Sequence, residues 1–184
     1  MSDSAFSHVA LCVPDIEAAR AFYCDVFGFE PATDRFGASG PDMDRLSGFE
    51  GCDFEGLFMR KNGLFIELTA FKDASGAEAG FRSSPLPHME NEYGFAHFAF
   101  RVADVDKTLE LVAANGGEAL SSTRLNMATP GTDEPTVLVF CLDPYGNRIE
   151  LIQHPNPEAA AAHSAWMNIT NLDWASESLD SATT

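Results

Sequence analysis

The chain has 184 residues, with 11 Lys and Arg against 28 Asp and Glu and a net charge of −17. That balance excludes nucleic acid as a partner, because duplex affinity comes mostly from Lys and Arg neutralising phosphate, and it opposes attachment to anionic lipid. A composition that is 45% hydrophobic with 15 Phe is that of a folded globular chain, and no stretch approaches the roughly 20 apolar residues of a membrane span.

Residues 5–13 are apolar, lack a basic leader and stop at Pro14-Asp15, which reads as a strand rather than a secretion signal. Asp15 is a suitable helix N-cap, and Ile16, Ala19, Phe22, Tyr23, Val26 and Phe27 follow with the spacing of a one-sided helix that Gly28 ends. Residues 29–36, 54–60 and 64–71 have strand character, the last two joined by a hairpin turn at Asn62-Gly63. Between them, 36–51 is an excursion rich in Gly and Asp. Residues 72–93 are rich in Ser, Gly, Pro and acid and read as a long loop.

Beyond that loop the pattern returns. FAHFAFRVADV at 95–105 repeats FSHVALCVPDI at 6–16 with a constant offset of 89. Asp104 is again a cap, Val105, Leu109, Val112 and Ala113 again form a helical stripe, and Gly116-Gly117 end it. Strands are predicted at 118–124, 136–142 and 147–153, the last two joined through Asp143 to Gly146. The order βαβββ therefore occurs twice: a first module at 1–71, an inter-module loop at 72–93, a second module at 94–154, and a helical extension and tail at 155–184. The four cysteines form no CxxC pair and read as small hydrophobes in a reducing compartment, which makes the cytoplasm the expected location.

Strand alternation puts His8 on a face with Phe6, Ala10 and Cys12, and His97 on a face with Phe95, Ala99 and Arg101. Two glutamates interrupt strongly apolar strands in identical Ile-Glu-Leu strings, Glu67 and Glu150, one in the last strand of each module. A lone carboxylate is costly to bury unless it is paired or bound to a metal. A pseudo-twofold relation between the repeats would let all four side chains line one cavity. Two imidazoles with two carboxylates suit a divalent first-row ion, Zn, Ni, Co, Mn or Fe, over Mg or Ca. Arg101 and Arg148 share the faces of His97 and Glu150 and are candidates for a substrate carboxylate or phosphate. His88, His154 and His163 lie outside the repeat and read as solvated, and Trp166 and Trp174 as packing residues.

HVALCVPDIEAARAFYCDVFGF, GLFIELTAF, GFAHFAFRVADVD and DPYGNRIELIQ together resemble the vicinal oxygen chelate superfamily over residues 6–153. That superfamily includes glyoxalase I, methylmalonyl-CoA epimerase, extradiol dioxygenases, and fosfomycin and bleomycin resistance proteins. The resemblance implies an α+β fold of two tandem βαβββ modules forming a cup-shaped mixed sheet around a metal, with ligands at His8, Glu67, His97 and Glu150. It implies proton transfer through a metal-bound enediolate, with Glu150 as ligand and base and Glu67 serving the opposite face of a small 2-oxo acid, hydroxycarbonyl or thioester. Glu50 or Glu55 are places for a further carboxylate. It also implies a homodimer, in which paired modules come from one chain or are exchanged between two.

A Glu at position 67 resembles the lyase and isomerase branch. Ring-cleaving dioxygenases use only the equivalents of His8, His97 and Glu150, and an Fe(II) enzyme of that kind, with Phe6, Phe65, Phe71 and Phe95 around the substrate, is the alternative. A drug- or metabolite-binding protein is a second alternative, against which the intact ligand set counts. Asp25 stands where glyoxalase I has a basic residue, and the 72–93 loop and C-terminal extension have no counterpart in minimal enzymes, so neither glutathione nor coenzyme A is implied.

Overall fold

Both strand-then-helix openings form in the computed structural model, which describes residues 6–48, 50–72 and 94–166. The inter-module loop beyond Lys72, the tail, His88 and Trp174 lie outside the described residues. The chain divides into two compact units, Met1–His88 and Met89–Thr184.

In the first unit, β1 (Val9–Cys12) leads to α1 (Ile16–Phe27). The Asp15 carboxylate accepts from the N–H groups of Glu17 and Ala18 at 2.8 and 3.0 Å, satisfying donors that the first helical turn leaves unpaired. At the other end Gly28 takes φ 66°, a left-handed conformation that glycine adopts without steric cost. Ile16, Ala19, Phe22, Tyr23 and Phe27 are buried, as the spacing predicts. Two long strands follow, β4 (Asp53–Lys61) and β5 (Leu64–Lys72). Positive φ at Asn62 (48°) and Gly63 (77°) makes the tight turn between them.

The segment between α1 and β4 departs from expectation. Instead of one strand at 29–36, there are two short ones, β2 (Glu30–Pro31) and β3 (Phe36–Ser39), each antiparallel to β4. Pro31 has no N–H to continue a ladder, which confines it to an edge and breaks the strand. The Gly- and Asp-rich excursion holds a short helix, α2 (Pro41–Ser47), with Pro at its start and Gly48 at its end. The sheet order is β1-β5-β4-β2, with β1 parallel to β5.

The second unit repeats this plan with β6 (Phe98–Arg101), α3 (Val105–Ala114), β7 (Glu118–Met127), β8 (Thr136–Leu142) and β9 (Arg148–Gln153), in the order β6-β9-β8-β7. β6 is parallel to β9. The helical stripe is rotated from the expected one: Thr108 is buried with Val105 and Val112, because its hydroxyl donates to the Asp104 carbonyl at 2.8 Å. The β8–β9 turn is tied by the buried Asp143 carboxylate, which accepts from the N–H groups of Tyr145 and Asn147 and from the Asn147 amide. A last helix, α4 (Pro157–Trp166), follows.

Each unit has one apolar layer between helix and sheet. α1 packs on β4 and β5, over buried Leu57, Met59, Ile66 and Leu68. α3 packs on β7, β8 and β9, over buried Val137, Val139, Ile149 and Leu151. Because strand side chains alternate, the opposite face of each sheet carries His8 and Glu67 in one unit and His97 and Glu150 in the other. The chain is thus mixed α+β, built of two repeated modules. No helix among the described residues is long and apolar enough to cross a membrane.

Candidate metal-binding and catalytic site

His8 sits one residue before β1, and β1 is paired with β5 so that Ala10 lies beside Glu67. This register brings His8 Nε2 to 3.1 Å from Glu67 Oε2. The second unit reproduces it: Ala99 lies beside Glu150, and His97 Nε2 is 3.5 Å from Glu150 Oε2. The carboxylates are 14% and 19% exposed and the imidazoles 32% and 29%, so each pair is shielded but reachable. In both units the neighbouring antiparallel strand places a phenylalanine opposite the glutamate, Phe58 and Phe140. Their rings meet the histidines edge-on, with centroids 5.1 Å apart for His8–Phe58 and 5.2 Å for His97–Phe140. Such a contact fixes the imidazole plane and so aims its nitrogen at the carboxylate.

Phe58 and Phe140 are neighbours of the candidate site that sequence reasoning missed. The signal was present: each lies on the Glu-bearing face two strands from its histidine, but nothing in a chain with 15 Phe singles them out. Of the four aromatics expected around a substrate, Phe6, Phe65 and Phe95 are exposed, and Phe71 packs against Phe54 at 5.4 Å. Phe36 stacks on Phe58 at 5.5 Å. It lies over Gly56, where a Cβ would come within 2.5 Å of the Phe36 ring. Glu55 points to the other side of β4 from Phe58 and pairs with Arg35 at 3.0 Å and Lys72 at 3.6 Å, away from Glu67. Glu50 lies in an exposed turn.

The two arginines differ. Arg148 stacks its guanidinium 4.3 Å from the Phe140 ring centroid, beside the His97–Glu150 pair. Arg101 donates to the Ala160 carbonyl of α4 at 3.4 Å. His154 and His163, expected in solvent, are joined instead: their rings hydrogen-bond at 3.0 Å, and His154 also meets the Thr136 hydroxyl at 3.3 Å. Burial first, then the Arg101 charge and His163, push the His154 imidazole down to about 4. Among the described residues, no group of three or more His, Cys, Asp and Glu gathers as a ready ion site; the four expected ligands stand as two pairs.

Each of the two βαβββ modules thus carries a His–Glu pair on the sheet face away from its helix. A model of the Glyoxalase/Bleomycin resistance protein/Dioxygenase superfamily matches residues 5–151, and the chain belongs to that family. Lactoylglutathione lyase of Arabidopsis thaliana is 30% identical over 154 residues, 83% of this chain and 46% of that protein. 2-epi-5-epi-valiolone epimerase of an Actinomyces species is 31% identical over 155 residues, 82% of this chain and 80% of that protein. The chain thus spans about half the length of the plant lyases it matches. A glyoxalase family protein of Bacillus cereus has the same fold, with a TM-score of 0.61 at 20% identity over 83% of this chain and 97% of the other.

Proposed function

We propose that this chain is a divalent-metal-dependent lyase or isomerase that moves a proton on the carbon beside a carbonyl of a small substrate. One observation carries the reading: the same His–Glu pair occurs in both modules at the same register. The gaps of 3.1 and 3.5 Å between nitrogen and oxygen are close to the ~3 Å between neighbouring donors around a first-row ion whose ligand bonds are about 2.0–2.2 Å. The nitrogen and carboxylate donors suit Zn, Ni, Co, Mn or Fe. Two donors alone do not hold such an ion. The reading therefore joins His8, Glu67, His97 and Glu150, with one pair from each module, supplied by one chain or by both chains of a homodimer.

A bound ion would supply Lewis-acid polarisation of a substrate carbonyl oxygen. Glu150 then takes the proton from the adjacent carbon, and Glu67 serves the opposite face and returns it. His8 and His97 orient the two carboxylates, and Phe58 and Phe140 orient the histidines. Arg148, steadied on Phe140, meets a carboxylate or phosphate of the substrate. The relatives' names support lyase or isomerase chemistry, and the epimerase, most of whose length the chain covers, favours isomerisation; the substrate classes of this reading are a 2-oxo acid, hydroxycarbonyl or thioester.

The test is incubation of the metal-reconstituted protein with these three compound classes in D2O. Deuterium entering the α-carbon, seen by NMR and lost in Glu150→Gln, is the expected result. Oxygen uptake with a catechol and no deuterium exchange would favour the Fe(II) dioxygenase, and tight binding without turnover that survives chelation would favour a binding protein.

A further inference from the structure

α4 has the sequence PEAAAAHSAW, with alanine at four consecutive positions and no broad apolar stripe to bury. Its contacts with the second module include polar ones, the Ala160 carbonyl accepting from Arg101 and His163 meeting His154. His154 is in turn bonded to Thr136 on β8, whose hydroxyl meets that of Thr129 at 2.8 Å. We propose that α4 is a proton-operated strap: neutral His154 and His163 hold it on the second module across Arg101, and acid releases it.

Two imidazole nitrogens 3.0 Å apart form a hydrogen bond only when one carries a hydrogen and the other a lone pair. With both rings doubly protonated, N–H faces N–H and the bond is lost. Among the described residues, the charged and titratable groups facing His154 are the Arg101 guanidinium from β6 and His163 from α4, so acid adds positive charge beside Arg101 at this contact. Burial and then Arg101 also push His163 below its ordinary value. The docked His154 titrates near 4 and a released one near 6.5, so the docked state binds fewer protons. Docking is therefore complete above pH 6.5, weakens as the pH falls, and levels off near 4.

Among the described residues, the first module has no such histidine pair. Phe54 faces Phe71 where the second has Thr136 and His154, and Cys12 stands beside Thr69 where the second has Arg101 beside Ile152. Release takes Arg101 away from Ala160 on the face that carries His97 and Glu150, where an anionic group can meet it.

Hydrogen–deuterium exchange of the full chain between pH 7.5 and 5.0, above its isoelectric point of 4.4, tests this. After correction for intrinsic exchange, protection in peptides from α4 is expected to hold down to pH 6.5 and then fall about tenfold per pH unit, while α3 stays level. His154→Gln/His163→Gln keeps hydrogen-bonding side chains that do not protonate, and is expected to stay protected at every pH. His163→Leu is expected to lose protection even at pH 7.5. Wild-type protection that is level to pH 5.0, the same fall in the double variant, or full protection in His163→Leu would overturn the proposal.

Discussion

The two modules share a frame and differ in what surrounds it. Both place a glutamate beside an alanine of the parallel first strand and opposite a phenylalanine of the antiparallel one, with a histidine closing the group. Around that unit the first module is aromatic, with Phe36, Phe54, Phe58 and Phe71 in a row of ring contacts. The second is more polar, with Thr136 and His154 where the first has Phe54 and Phe71, and Arg101 and Arg148 where it has Cys12 and Phe65. Parallel pairing fixes the register because a slip by one residue would turn every side chain to the other face. The register is thus the constrained part, and the neighbours are where chemistry diverges. Under the proposed function, a duplicated metal half-site with unlike surroundings would suit an asymmetric substrate.

Substitutions at matched positions separate the shared frame from the divergent surroundings. The largest effect is expected at the carboxylates: Glu150→Gln and Glu67→Gln should each lower turnover by about 10²–10⁴-fold, measured as steady-state rates on the substrate found by deuterium exchange. Unequal losses would show which carboxylate removes the proton. Next come the buried leucines at equivalent positions, Leu68 and Leu151, both fully enclosed. Each changed to Ala should destabilise by about 2–5 kcal/mol in chemical denaturation, and a much smaller loss in one unit would mean its core relaxes around the cavity.

Gly56→Ala is expected to cost roughly 1–3 kcal/mol and to shift Phe36 off the sheet, visible as changed ring resonances by NMR. The second module has Leu138 at that place and needs no such gap. Smallest are Phe58→Leu and Phe140→Leu, each expected to cost about 1 kcal/mol from its ring contacts. If they loosen the histidines as proposed, metal affinity should drop by about 10-fold or more, a change that a purely structural role would not produce.

Most of the frame was legible in the sequence because strands and helices of this kind write themselves as period 2 and period 3.6. The FSHVALCVPDI repeat, the caps at Asp15 and Asp104, the Asn62-Gly63 turn and the two Ile-Glu-Leu strings all point to elements that form. α2 escaped because seven residues with exposed Leu46 and no buried side chain carry no stripe. The broken strand at 29–36 escaped because one proline outweighed a favourable average. His154 and His163 escaped for a different reason: their hydrogen bond joins the end of a strand to a helix beyond a Pro-Asn-Pro break, and only the fold brings them together. Each His–Glu gap likewise depends on register, which spacing suggests and only pairing sets.

The central claim is that the two pairs act on one ion. Elemental mass spectrometry of the full chain, purified without a chelator or affinity tag, measures this directly in wild type, Glu67→Ala and Glu150→Ala. The account predicts about one divalent ion per chain and loss of most of it in both variants, since each removes a ligand from the same site. Full retention in Glu67→Ala, or no uptake by the wild type after reconstitution, would contradict it.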